Sequence, residues 1–225
     1  MLGRTLGKYQ IMARLGRGGM AEVYRAYQAN LDRQVAVKVM TAAVLERPGA
    51  AARFELEAKS AAGLRHPHII QIYDYDIDPE TDQPYMVMEL VDGVALSHYL
   101  HEHTSDGQVL AIGEAARILA QVGSALAYAH AQGLVHRDVK PANVLRDTTG
   151  RYILADFGLA KLMAGAGLTG SDTMLGTPDY MAPEQVIGDG VDQRADLYAL
   201  GVLLFELLTG HLPFHGDSRT AVALR

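Results

Sequence analysis

The chain has 225 residues, 49% of them hydrophobic, with a formal net charge of −6 and no cysteine. That length and apolar content provide for one large domain or two small lobes and argue against intrinsic disorder. An acidic balance without a basic run argues against a nucleic-acid or anionic-lipid surface, and the lack of cysteine excludes disulfides, thiolate metal sites and cysteine nucleophiles.

From the N-terminus, Met1 to Lys8 lacks the apolar core of a secretory signal, so export is not expected. Alternating apolar patterns then predict strands at Tyr9 to Leu15, Ala21 to Ala26, Gln34 to Met40, Ile69 to Tyr75 and Tyr85 to Leu90. One helix interrupts them, from about Pro48 to Leu64, with proline near its start and an alanine-rich body. Beyond Asp92-Gly93 the period changes: Ala115, Ile118, Leu119, Val122, Ala125, Leu126 and Ala129 recur at helical spacing. The apolar segment from Leu197 to Leu208 is too short to cross a bilayer and carries Glu206, so it reads as a core helix. The expected architecture is therefore a strand-rich lobe followed by a helical one, with neither internal repeat nor membrane span.

Several clusters carry chemistry. Leu15-Gly16-Arg17-Gly18-Gly19-Met20-Ala21-Glu22-Val23 lies between two strands, where its glycines would let the backbone approach a phosphate chain; alone, it is equally an ordinary hairpin turn. In Val35-Ala36-Val37-Lys38 the period of two puts Ala36 and Lys38 on one face, leaving room for a flat ring beside a cation. Phe54, Glu57, Ala58, Ala61 and Leu64 share one helix face, so Glu57 needs a cation and Lys38 is the nearest candidate, while Glu55 faces water.

Further on, His136-Arg137-Asp138-Val139-Lys140-Pro141-Ala142-Asn143 cannot be regular helix through Pro141. Asp138 would accept the proton of an incoming hydroxyl, Lys140 would neutralise charge on a transferred phosphoryl, and Asn143 with Asp156 of Asp156-Phe157-Gly158 would hold magnesium. His136 reads as a core histidine that buttresses rather than reacts. A turn or cap role is the alternative for either aspartate taken singly.

Taken in order, these residues resemble the eukaryotic-like protein kinase family, and the likeness runs on through Ala182-Pro183-Glu184 and Asp196 to Thr209-Gly210-His211-Leu212-Pro213-Phe214. Gly-Gly-Met in the first loop and Arg53-Phe54 before Glu57 look like the bacterial serine/threonine branch. The resemblance implies an α+β fold, with a small antiparallel lobe at 1–90 and a larger, mainly helical lobe at 91–225. It implies catalytic roles for Asp138, Lys140, Lys38 and Glu57, and an ATP site made of Leu15, Gly16, Arg17, Gly18, Gly19, Val23, Ala36, Lys38, Met88, Glu89, Val91 and Leu145. It implies metal ligation by Asn143 and Asp156, with Mg2+ as the ion and Mn2+ as its alternative. Met88 is the expected gatekeeper of the adenine pocket and equally a core packing residue.

Regulation and partners follow from the same likeness. Arg137 before the aspartate implies activation-loop phosphorylation at Thr169, Ser171 or Thr173, the first two favoured by spacing, and Thr177 marks a serine/threonine substrate loop. Protein substrates, a homodimer through the small lobe and a cytoplasmic location are expected, with no nucleic acid and no membrane segment in this chain. Ala21 stands where the family often has a third glycine, and Val139 where it has leucine. The family normally continues past the position of Arg225 with further helices, one bearing an arginine for Glu184, so an exposed apolar seam is expected here, and any membrane anchor would lie beyond. Two rival functions remain open on sequence: a nucleotide-binding scaffold without turnover, which intact Lys38, Asp138 and Asp156 disfavour, and a small-molecule phosphotransferase, which the Ala182-Pro183-Glu184 segment disfavours.

Overall fold

The computed structural model describes residues 1–104, 109–157, 178–188 and 190–214. The chain divides into two compact units, one of residues 1–65 and 70–91, the other of residues 66–69 and 92 onward.

The first unit is built on six antiparallel strands: β1 (Thr5–Leu6), β2 (Tyr9–Arg17), β3 (Ala21–Gln28), β4 (Arg33–Met40), β5 (Ile72–Ile77) and β6 (Pro84–Met88), in the order β1-β2-β3-β4-β6-β5. Its alternating sequence is what sorts the two faces. Val35, Val37 and Val39 of β4 join Tyr24, Ala26, Tyr85 and Val87 in one buried cluster. Residues directly opposed across antiparallel strands share a face, and the register pairs Val23 with Lys38, Lys38 with Met86, and Ala36 with Met88. These five therefore line the other face. Helix α2 (Ala50–Ala62) buries Phe54, Glu57, Ala58 and Ala61, the stripe that helical spacing predicts. It starts two residues later than expected because Gly49 takes the left-handed conformation, φ +73, and turns the chain after Pro48. A short helix, α1 (Ala42–Leu45), was not foreseen; four residues carry no readable period.

Strand β5 starts at Ile72 rather than Ile69. The preceding residues are drawn to the second unit instead: His68 O accepts from Leu154 N at 2.9 Å, His68 Nδ1 meets Tyr152 O at 2.8 Å, and Ile69 bridges Leu154 in parallel.

The second unit holds a three-stranded sheet, β7 (Gly93–Ala95), β8 (Val144–Asp147) and β9 (Tyr152–Leu154), with helices α3 (Leu96–Thr104), α4 (Ile112–Ala131), α5 (Pro183–Ile187) and α6 (Arg194–Thr209). Helix α4 buries Ala115, Ile118, Val122, Ala125, Leu126 and Ala129, packing on α6 and β9. Strand β7 approaches β8 so closely that a Cβ on Gly93 would lie 2.0 Å from the Arg146 carbonyl oxygen. The core-helix reading of α6 holds for one side only. Ala195, Asp196, Ala199, Val202, Leu203 and Leu207 are buried, whereas Leu197, Leu204, Phe205 and Leu208 are 37–56% exposed. No described helix is long and apolar enough to cross a membrane.

Candidate active site

In the first unit, Lys38 of β4 and Glu57 of α2 form an ion pair, Nζ to Oε1 at 3.0 Å, with side chains 12% and 8% exposed. Alternation on β4 and helical periodicity on α2 bring the two together, and Phe54 closes one side with its ring centroid 5.9 Å from Nζ. Val23, Ala36 and Met88 stand on the same sheet face. Leu15, Gly16 and Arg17 end β2, and Gly18 and Gly19 form the hairpin tip, where Gly18 N donates to Ala21 O at 2.9 Å. After β6, Glu89 N donates to Gln71 O at 2.8 Å, and Val91 is half-buried.

In the second unit the loop 136–143 is clamped from below. Asp196, fully buried at the start of α6, accepts His136 N at 2.8 Å on Oδ2 and Arg137 N at 2.7 Å on Oδ1, and its Oδ2 also lies 2.7 Å from His130 Nε2. A carboxylate gripping two successive amides holds a backbone that is otherwise unfavourable, for Arg137 sits at φ +66. His136 is itself buried: Asp138 N donates to its Nδ1 at 3.2 Å, so the proton resides on Nε2 and is donated to Ala155 O at 3.1 Å. Burial lowers its pKa, outweighing the pull of Asp196 and Asp138, which keeps the ring neutral. It is a strut, as the sequence suggests.

That strut and clamp position Asp138. Its Oδ2 receives Lys140 Nζ at 2.9 Å and Asn143 Nδ2 at 2.9 Å, and Asn143 Nδ2 also reaches the Asp138 carbonyl at 2.8 Å. With its amide nitrogen committed, Asn143 has its side-chain oxygen to offer a cation. The segment after β9 is tied to this loop by Ala155 N donating to Asn143 O at 2.8 Å, and Asp156 follows at φ +58. Phe157 packs on His136 with ring centroids 4.7 Å apart. Leu145 lies on β8, opposite Ala95 and Ile153. Gly158, Thr169, Ser171, Thr173 and Thr177 lie outside the described residues.

A hard-oxygen pair, the Asn143 amide oxygen and the Asp156 carboxylate, suits magnesium, which commonly completes its shell with phosphate and water. The described residues contain no cluster of three or more His, Cys, Asp or Glu side chains that could hold a metal ion.

Three parts of the site have roles that the sequence alone does not assign. Asp196 belongs to the stretch that carries the family likeness, but nothing local marks it as the clamp of the loop 136–143. Tyr180 donates to Glu206 Oε2 at 2.5 Å, and burial together with that bond raises the tyrosine pKa. Gln185 spans α5 and the loop 136–143, donating to Arg137 O at 3.0 Å while accepting Ala182 N at 3.0 Å. Beside these groups lies a cavity of about 300 Å3 lined by Ser97, His101, Lys140, Ala142, Tyr180 and Glu206, among others.

The protein kinase domain family matches residues 9–224. A probable serine/threonine-protein kinase of Streptomyces coelicolor, SCO3848, is 46% identical over 224 residues, covering 98% of this chain and 33% of that protein. PrkC of Bacillus subtilis is 42% identical over 222 residues, 99% of this chain and 33% of its own length. The chain thus spans about a third of the length of the curated relatives it matches. Among solved structures, the PknI kinase domain of Mycobacterium tuberculosis superposes with a TM-score of 0.79 at 33% identity, over 97% of this chain and 79% of that one. With sequence, fold and relatives in agreement, the chain belongs to the protein kinase domain family, and the two curated relatives named above are bacterial serine/threonine kinases.

Proposed function

We propose that this chain transfers the γ-phosphoryl group of ATP to serine or threonine hydroxyls of protein substrates, on the cytoplasmic side where ATP is found. The observation that carries the reading is the fixed Asp138 carboxylate, held by Lys140 and Asn143 on a loop clamped by buried Asp196. The acceptor hydroxyl donates its proton to Asp138 as its oxygen bonds to the γ-phosphorus and the bond to ADP breaks. Lys140 offsets charge on the phosphoryl group in flight. Asn143 and Asp156 would hold Mg2+, with Mn2+ as alternative, which would supply charge neutralisation at the phosphate oxygens.

On the nucleotide, Lys38 pairs with the phosphates and is itself aimed by Glu57. Gly16, Gly18 and Gly19 offer backbone N–H groups, flanked by Leu15 and Arg17. In the first unit Val23 and Ala36 are assigned to the adenine, with Met88 as gatekeeper and Glu89 and Val91 offering backbone groups; in the second unit Leu145 is assigned to it as well. The acceptor polypeptide lies along the cavity that Lys140 and Ala142 line. Arg137 receives the phosphate of a modified Thr169, Ser171 or Thr173; its buried Nε has no hydrogen-bond partner, which supports this assignment. Thr177 contributes to the substrate loop, and two copies associate through the first unit.

Incubation with labelled ATP, Mg2+ and a generic protein acceptor tests the reading. Label recovered as phosphoserine or phosphothreonine is expected. Nucleotide binding without any transfer would replace it with a scaffold role, and label on small molecules alone with a different phosphotransferase.

A further inference from the structure

Arg117 on α4 and Arg146 on β8 come from separate elements, yet both guanidiniums end over Gly150 in the turn between β8 and β9. A Cβ on Gly150 would lie 3.5 Å from Arg117 Nη1 and Nη2 and 3.6 Å from Arg146 Nη2. The glycine is held at φ +83, a conformation that L side chains rarely adopt, so this space stays clear of a side chain. Converging like charges are unfavourable unless anions offset them. Among the described residues one carboxylate does so: Glu114, whose two oxygens lie 2.8 and 2.6 Å from Arg117 Nη2 and which also accepts the Tyr152 hydroxyl. Nearby Arg151 is already taken by Asp147 at 3.0 Å. Among the described residues these ion pairs thus leave the cluster one positive charge in excess, within a chain whose net charge is −6. Arg146 is held in place by stacking 4.6 Å from the Tyr99 ring, and its buried Nε has no hydrogen-bond partner.

We propose that Arg117 and Arg146 form a receptor for a phosphate monoester, the phosphoserine or phosphothreonine side chain of an already modified protein substrate, with Glu114 occupying the Arg117 fork when no phosphate is bound. Guanidinium groups recognise phosphate oxygens bidentately. Once Glu114 swings aside, two guanidinium charges face a group that carries close to two negative charges at neutral pH. The choice of a phosphorylated protein as ligand rests on the kinase reading above, whose product is this chemical group. Such a site, which shares no hydrogen-bond partner with Asp138 in the bonds described above, would retain a substrate between successive transfers.

The test is fluorescence anisotropy of a labelled phosphothreonine peptide and its unphosphorylated twin, without ATP. The phosphopeptide is expected to bind wild type at least about tenfold more tightly than the twin, as charge-assisted bidentate bonds require. Arg117→Gln should abolish that preference. Glu114→Gln, which removes the built-in competitor, should tighten phosphopeptide binding several-fold and leave the twin unchanged, a gain that a misfolded variant cannot imitate. Equal binding of the two peptides, a preference that survives Arg117→Gln, or no gain in Glu114→Gln would each overturn the receptor. Because no ATP is present, the two readings fail separately: phosphopeptide binding by a chain that transfers nothing supports the receptor against the kinase reading, and intact transfer without phospho-preference overturns the receptor alone.

Discussion

Replacing Lys38 with methionine removes one half of an ion pair that the fold has taken out of water. At the observed 3.0 Å, two unit charges attract by about 5–6 kcal/mol if the effective dielectric constant is near 20. Desolvation of both groups cancels much of that attraction, so the intact pair adds little net stability, but a carboxylate that loses its lysine keeps its desolvation cost with less to offset it. Methionine matches the apolar stem of lysine and keeps the contact with Phe54, so lost packing is a minor term. Lys38→Met should therefore lower the unfolding free energy by about 3–5 kcal/mol. Adding Glu57→Met should restore stability to within about 1 kcal/mol of wild type, because a buried pair exchanged for apolar residues of similar volume is often neutral. Urea unfolding followed by far-UV circular dichroism reads both, since the chain has no tryptophan. Phosphoryl transfer should stay lost in the double variant, separating the stability role from the catalytic one. A single variant as stable as wild type, or a double variant no better than the single, would refute the reasoning.

Three further outcomes follow from other contacts. Asp196→Ala strands the amides of His136 and Arg137 together with His130 Nε2, and should cost about 3–5 kcal/mol; hydrogen exchange at residues 136–138 as slow as in wild type would contradict the clamp. Gly93→Ala drives a methyl group into the Arg146 carbonyl and should destabilise the chain by about 1–3 kcal/mol through overpacking; an unchanged urea midpoint would show that β7 simply moves away. Asp147 accepts from Thr149 and Arg151, and these bonds outweigh its desolvation, holding its pKa down to about 2. A depressed carboxylate contributes stability above its unfolded pKa and loses it as pH falls through the folded value, so Asp147→Asn should cost about 1 kcal/mol at pH 6, after discounting for solvent screening, and almost nothing near pH 2. A deficit that does not depend on pH would mean the charge is not what matters there.

Alternation and helical spacing make the Lys38–Glu57 pair legible in the sequence: one residue shares the Ala36 face of a strand, the other an apolar face of a helix, and each needs a counter-ion. The burial of α4 was readable for the same reason. His136 reads as a core histidine that buttresses, and its burial with a bond to the Ala155 carbonyl agrees. What stayed hidden depends on contacts between residues distant in sequence. Asp196 grips a loop some sixty residues earlier, and neither the positive φ of Arg137 nor that of Asp156 leaves a mark in composition. Strand β5 was extended too far because Ile69 and Ile70 have strand-like chemistry, while His68 decides the matter by bonding to Tyr152. On α6, apolar content alone did not reveal that one side is exposed, since its periodicity is nearly uniform around the helix.

The most direct test of the central claim, that Asp138 takes the proton of the acceptor hydroxyl, is a paired measurement on Asp138→Asn. Nucleotide affinity with Mg2+ is read by calorimetry and phosphate incorporation by intact mass. Affinity is expected within a few-fold of wild type, while incorporation falls by roughly 10²–10⁴-fold, the usual share of a general base. Undiminished incorporation, or loss of nucleotide binding alongside it, would contradict the assignment.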